Sequence, residues 1–204
     1  METSYEALAK RIWTRCEEEH WFGGDLSKDL DPEDDPQRHT FDFPRVSEEQ
    51  IQDAERYLGF PLPPFLHYIY THIANGGFGP GLGFHGIMNG FGSDGDYTYR
   101  LDRSIVGYYY FRTRAQVINL DEYLPEIVYE GTAQRFWCFP LETWPRYVLP
   151  LSDMGCARMA CVDKEGQMFL DVAIEQHDMY GLVQLGWTFE EWIERWLNGE
   201  STTW

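Results

Sequence analysis

The sequence predicts an α+β fold. Three observations carry this reading. Amphipathic helical patterns lie near the start and at the end of the chain. Runs rich in β-branched and aromatic residues follow one another between them. Lys164-Glu165-Gly166 turns two of those runs into a hairpin. At 204 residues the chain can bury roughly 70 % of the surface it exposes when unfolded, so it needs no disulfide or metal staple. A composition of 43 % hydrophobic and 25 % charged residues is that of a globular chain.

The first element is a helix at the N-terminus. Thr3 and Glu6 have capping-box spacing, and Tyr5, Leu8, Ala9, Ile12, Trp13 and Cys16 fall on one face. It runs out in Glu17, Glu18 and Glu19, which sit unfavourably at the negative end of the helix dipole. Between Glu17 and Asp35 stand nine acidic residues and one Lys, with Gly23-Gly24 and Pro32 among them. This stretch reads as a loop or linker.

A helix–PLPP–helix unit follows. Ser47 and Gln50 form a capping box, Val46 and Ile51 have the spacing of a hydrophobic staple, and Gly59 is placed for a left-handed stop. Ile51, Ala54, Tyr57 and Leu58 are expected on the buried face. Pro61 and Pro63 enforce an extended link, and Pro64 suits the first turn of the next helix. The buried stripe of that helix is Phe65, Leu66, Ile69, Tyr70 and Ile73, and Asn75-Gly76-Gly77 ends it.

Nine of the twenty residues from Gly76 to Gly95 are glycine, which predicts irregular backbone with positive φ angles. Strands are expected at Tyr97–Leu101 and Ile105–Phe111, and a helix over Ala115–Leu124. Further strands are expected at Tyr147–Leu151, Cys156–Val162 and Gln167–Val172. The closing helix starts at the capping box Thr188…Glu191. It presents Phe189, Trp192, Ile193, Trp196 and Leu197, and stops at Asn198-Gly199.

Charge narrows the function. Sixteen Lys and Arg against thirty-four Asp and Glu leave a net charge of −18. Phosphate backbones and anionic membranes repel such a surface, whereas encounter with a basic protein is accelerated. Cys16, Cys138, Cys156 and Cys161 are too sparse for a disulfide scaffold. Lys10, Arg11 and Arg15 interrupt any apolar run fit for a signal peptide, and no window reaches the length of a membrane span. The expectation is a soluble protein of a reducing cytoplasm.

Motifs for catalysis or cofactor binding fail on context. Gly81-Leu82-Gly83-Phe84-His85-Gly86 matches G-x-G-x-x-G in form, but follows a helix end where a strand is required, and reads as a close-packed loop. A zinc site drawn from Cys138, Cys156, Cys161 and His177 fails because an offset of five along a strand puts Cys156 and Cys161 on opposite faces. Both thiols are expected as buried small hydrophobes. Asp94 and Asp96 bracket Gly95 without the further oxygen ligands a calcium loop needs. No cofactor, metal or catalytic residue is expected. Partner contacts are assigned to the acidic stretch, where aromatic anchors mix with charge: Glu17, Glu18, Glu19, Trp21, Asp31, Asp34 and Asp35. The competing reading packs the aromatics of that stretch on its own domain.

The segment Val46-Ser47-Glu48-Glu49-Gln50-Ile51, with Glu55, Leu58-Gly59, Pro61-Leu62-Pro63 and Ile73-Ala74-Asn75-Gly76-Gly77-Phe78-Gly79-Pro80, resembles the SUKH superfamily of fungal cell-wall-assembly regulators and bacterial toxin-immunity proteins. Trp144-Pro145, Leu149-Pro150-Leu151, Asp153, Gly155-Cys156 and Cys161-Val162-Asp163 are similar to one bacterial branch, from which the chain departs at Ser152 and Met154. The resemblance covers about residues 45–198. Residues 1–44 are then an N-terminal helix with an acidic linker, and 199–204 a tail. The resemblance implies a twisted, mainly antiparallel sheet flanked by helices, and a binding module without enzyme activity. It further implies an immunity protein that occludes a toxin's active site, often that of a nuclease or deaminase. Two alternatives stand beside this: a housekeeping regulatory adaptor, and a hydrolase using Asp94, Asp96 or His85. Oligomeric state is not specified.

Overall fold

The computed structural model describes residues 4–18, 45–88, 90–91, 104–113, 116–122, 127–128, 135–140, 143–156, 158–174 and 179–203. In chain order they form α1 (Ser4–Glu18), α2 (Glu48–Leu58), α3 (Pro64–His72), α4 (Ile105–Arg112), β1 (Gln116–Ile118), β2 (Ile127–Val128), β3 (Arg135–Pro140), β4 (Thr143–Pro145), β5 (Val148–Gly155), β6 (Arg158–Asp163), β7 (Gln167–Ile174), β8 (Met179–Thr188) and α5 (Phe189–Leu197). The main sheet has the order β2-β3-β8-β7-β6-β5 and every pairing in it is antiparallel. A second, two-stranded sheet pairs β1 with β4 in parallel. The α+β architecture is therefore present as expected.

Both faces of the central strand are covered, because Met168, Phe169, Leu170 and Asp171 are consecutive in β7 and all buried. Helix α5 packs against β7 and β8, while α4 packs against β5 and sends Arg112 to Asp171. The edge strand β5 is screened by the Gly-rich loop. His85 N donates to Leu151 O at 2.8 Å, Leu82 N to Asp153 O at 2.8 Å, and Ser152 Oγ to Pro80 O at 2.7 Å. These bonds occupy groups that would otherwise template pairing with another chain.

Local chemistry accounts for the helix ends. Ser47 caps α2 reciprocally with Gln50, and Gly59 stops it at φ 81°. Pro64 occupies the first turn of α3, and Thr188 with Glu191 caps α5. Replacing Ser47 by Ala is expected to cost about 1 kcal/mol, read as a lowered urea midpoint with an unchanged slope.

Helix α1 is docked on this framework. Leu8, Ala9, Ile12 and Cys16 join the main core. The Tyr5 ring lies 5.0 Å from Phe65, and Arg15 stacks over Trp196 at 4.7 Å. Thr3, the cap expected from sequence, lies outside the described residues. At the other end, Thr202 O accepts a 2.8 Å bond from Trp192 Nε1, which ties the C-terminal residues back to α5.

Several expectations are corrected. Ile105–Phe111 is not a strand. Ser104 Oγ accepts from Gly107 N and starts α4, whose Ile105, Val106 and Tyr109 are buried at helical spacing. Tertiary burial overrides the β-branched and aromatic composition there. Of the helix expected over Ala115–Leu124, the described residues 116–122 instead form β1 followed by a single 3₁₀ turn at Leu120–Glu122. Tyr57 is 74 % exposed, so the buried face of α2 is only Ile51, Ala54 and Leu58. Strands β3 and β8 were not foreseen. The expected strand at Tyr97–Leu101 lies outside the described residues.

Candidate functional site

Strand register gathers one cleft, of about 480 Å³, at one end of the main sheet. Phe136 pairs with Val183, so Arg135 stands beside Gln184. Gln184 pairs with Phe169, Phe169 with Cys161, and Asp163 with Val148. Residues from five strands thus reach the cleft at neighbouring register positions, and side chains directly opposite share a face. Trp137 and Phe169, with ring centroids 6.1 Å apart, form its apolar floor.

Three turns build the walls. The β6–β7 turn contributes Asp163, Lys164 and Glu165, the β4–β5 turn Arg146 and Tyr147, and the segment after β1 contributes Asn119 and Glu122. Tyr147 is held at φ 72°, a conformation that side-chain-bearing residues rarely adopt. Packing holds it there. Its ring makes an edge contact with Phe60 at 5.2 Å, and Lys164 Nζ stands 4.6 Å from the ring centroid. The strained residue stands in the wall next to Arg146.

The charges of the cleft divide unequally once their contacts are assigned. Asp163 Oδ1 accepts from the amides of Glu165 at 3.0 Å and Gln167 at 2.7 Å. Burial pushes the Asp163 carboxyl up to about 6, against the pull of these amide bonds. Glu165 pairs with Lys164 at 3.1 Å, and Glu122 accepts from Asn119 Nδ2 at 2.8 Å. Arg135 and Arg146 are exposed, and neither has an ion-pair partner among the described residues. The arrangement is suited to recognising a polar or anionic group over an apolar floor.

Of the partner contacts read from sequence, two are described. Glu17 and Glu18 form the last turn of α1. Glu19, Trp21, Asp31, Asp34 and Asp35 lie outside the described residues. His85 is fully buried, and that burial pushes its imidazole down to about 3. Such a side chain is neutral at pH 7. Asp94 and Asp96 lie outside the described residues. Cys161 is buried as expected, but Cys156 is exposed in the β5–β6 turn at φ 54°, correcting its expected burial. His177 lies outside the described residues. Among the described residues no three His, Cys, Asp or Glu side chains group as metal ligands, and no helix is long and apolar enough to cross a membrane.

The helix–PLPP–helix unit, the Gly-rich edge loop, the antiparallel sheet and all but the last two residues of α5 lie within the span matched by a sequence model of the SMI1 / KNR4 family (SUKH-1), residues 45–195. The chain belongs to the SMI1 / KNR4 family (SUKH-1). Neither a curated protein nor a solved structure matches it. SUKH-1 proteins are generally non-enzymatic and often bind protein partners, and the family includes immunity proteins and fungal regulators. Every residue of the cleft falls within the SUKH-1 match, whereas α1 precedes it. Sequence reading missed the cleft because Arg135, Arg146 and Gln184 belong to no local motif. The positive φ at Tyr147 left no trace either, since no glycine marks it.

Proposed function

We propose that this SUKH-1 protein is a non-enzymatic immunity protein that binds a cognate toxin domain in the cytoplasm and occludes its active site. The observation that carries the reading is the family match across residues 45–195. The charge of −18 supplies its electrostatic form: a basic, nucleic-acid-processing partner is attracted, and carboxylates stand where it expects phosphates. Glu17, Glu18, Glu19, Trp21, Asp31, Asp34 and Asp35 are the proposed contacts.

Co-expression with the product of the adjacent gene tests this. Growth arrest by that product alone and recovery with this protein are expected. A harmless neighbour, or arrest that persists, would count against the reading. For the purified complex, the association rate should fall at least about tenfold from ~0.05 M to ~0.5 M salt, because screening shortens the reach of the acidic field. A rate indifferent to salt would sink the electrostatic part.

A further inference from the structure

We infer that the cleft at the end of the sheet binds an extended acidic peptide segment, with Arg135 and Arg146 each receiving one of its carboxylates. The cleft crosses the register from β3 to β5, four interstrand spacings, or about 19 Å. That is too long for one small carboxylate, and it matches five or six residues of extended chain at about 3.3 Å each. Arg135 enters from β3 and Arg146 from the turn before β5, so the two guanidinium groups come from opposite ends of the trough.

The contacts of the cleft's three carboxylates and three cations point to the ligand. Asp163, Glu165 and Glu122 are engaged by backbone amides, Lys164 and Asn119 respectively. The two arginines lack carboxylate partners among the described residues, although the chain carries thirty-four acidic residues against sixteen basic ones. Guanidinium forks are matched to carboxylates and bind them bidentately. The Trp137–Phe169 floor offers apolar contact to side chains lying between the two acids. None of the cleft residues is among those proposed to meet a basic partner, and the site does not depend on that partner being a toxin.

The test is a synthetic array of hexapeptides carrying two Asp or Glu residues at every spacing, each beside its Asn or Gln counterpart, probed with the full chain at low salt. Acidic peptides should be retained about tenfold more strongly than their amide counterparts, at one preferred spacing. The R135Q/R146Q variant should lose that preference while keeping its melting temperature, since both side chains are exposed. The net charge of the chain repels acidic peptides in general, so selective retention reports the cleft. Equal retention of acidic and amide peptides, or a preference that survives R135Q/R146Q, overturns the proposal. Competition by free glutarate as strong as that by the best hexapeptide overturns the extended-segment assignment in favour of a small-anion site. Growth rescue is a separate readout, so failure on the array leaves the immunity reading to stand or fall by itself.

Discussion

Replacing Arg112 by Ala is expected to destabilise the protein by about 3–5 kcal/mol at neutral pH, because it strands a buried carboxylate. Arg112 Nη2 donates to Asp171 Oδ2 at 2.9 Å, and the Asp171 side chain is only 4 % exposed. The guanidinium also lies 4.9 Å from the Trp144 ring centroid, so truncation removes packing as well as charge. Burial pushes Asp171 up to about 6 from 3.8, against the pull of Arg112. The folded state therefore holds this proton more tightly than the unfolded one. The contribution of Asp171 to stability is greatest in acid and declines as pH rises from about 4 through 6. Without Arg112 the carboxyl rises further and the decline extends above pH 6. The gap in melting temperature between wild type and R112A should thus be wide at pH 7.5 and narrow at pH 5. The R112M/D171L pair should recover most of the loss, since apolar groups of similar volume replace a buried ion pair at little cost. A gap independent of pH would show that the carboxylate is not the source of the effect.

Replacing Gly76 by Ala is the second large effect, with an expected loss of about 3 kcal/mol or more. Gly76 sits at φ 90°, and an added Cβ would lie 2.5 Å from Phe84 O and 2.8 Å from Gly86 N. Both obstacles are backbone, so no side chain can swing aside. Movement of that segment would disturb the bond from Gly77 N to Phe84 O at 2.9 Å and that from His85 N to Leu151 O, which screens β5. G76A should lower the denaturant midpoint and raise aggregation together, because it exposes an edge strand. Gly59 is the control: it has φ 81°, but an added Cβ meets nothing within 4 Å, so G59A should cost only the backbone strain, about 1 kcal/mol. Similar losses at the two positions would show that close approach in the Gly-rich loop is unimportant.

Sequence alone specified what is decided within a few residues. The capping boxes at Ser47 and Thr188, the stop at Gly59, Pro64 at the start of α3 and the positive φ angles of the Gly-rich loop were legible because each is a local bargain between side chain and backbone. Burial decided the rest. Tyr-rich Ile105–Arg112 became a helix because Ser104 caps it and its buried residues recur at helical spacing, and Gln116–Ile118 became a strand because β4 offers a partner. Neither fact is visible in propensity. The cleft was out of reach for the same reason: Arg135, Arg146 and Gln184 are brought together by antiparallel register, which is set by contacts between residues far apart in the chain. Charge totals announced an acidic molecule, and only the folded arrangement showed which cleft arginines lack an ion-pair partner among the described residues.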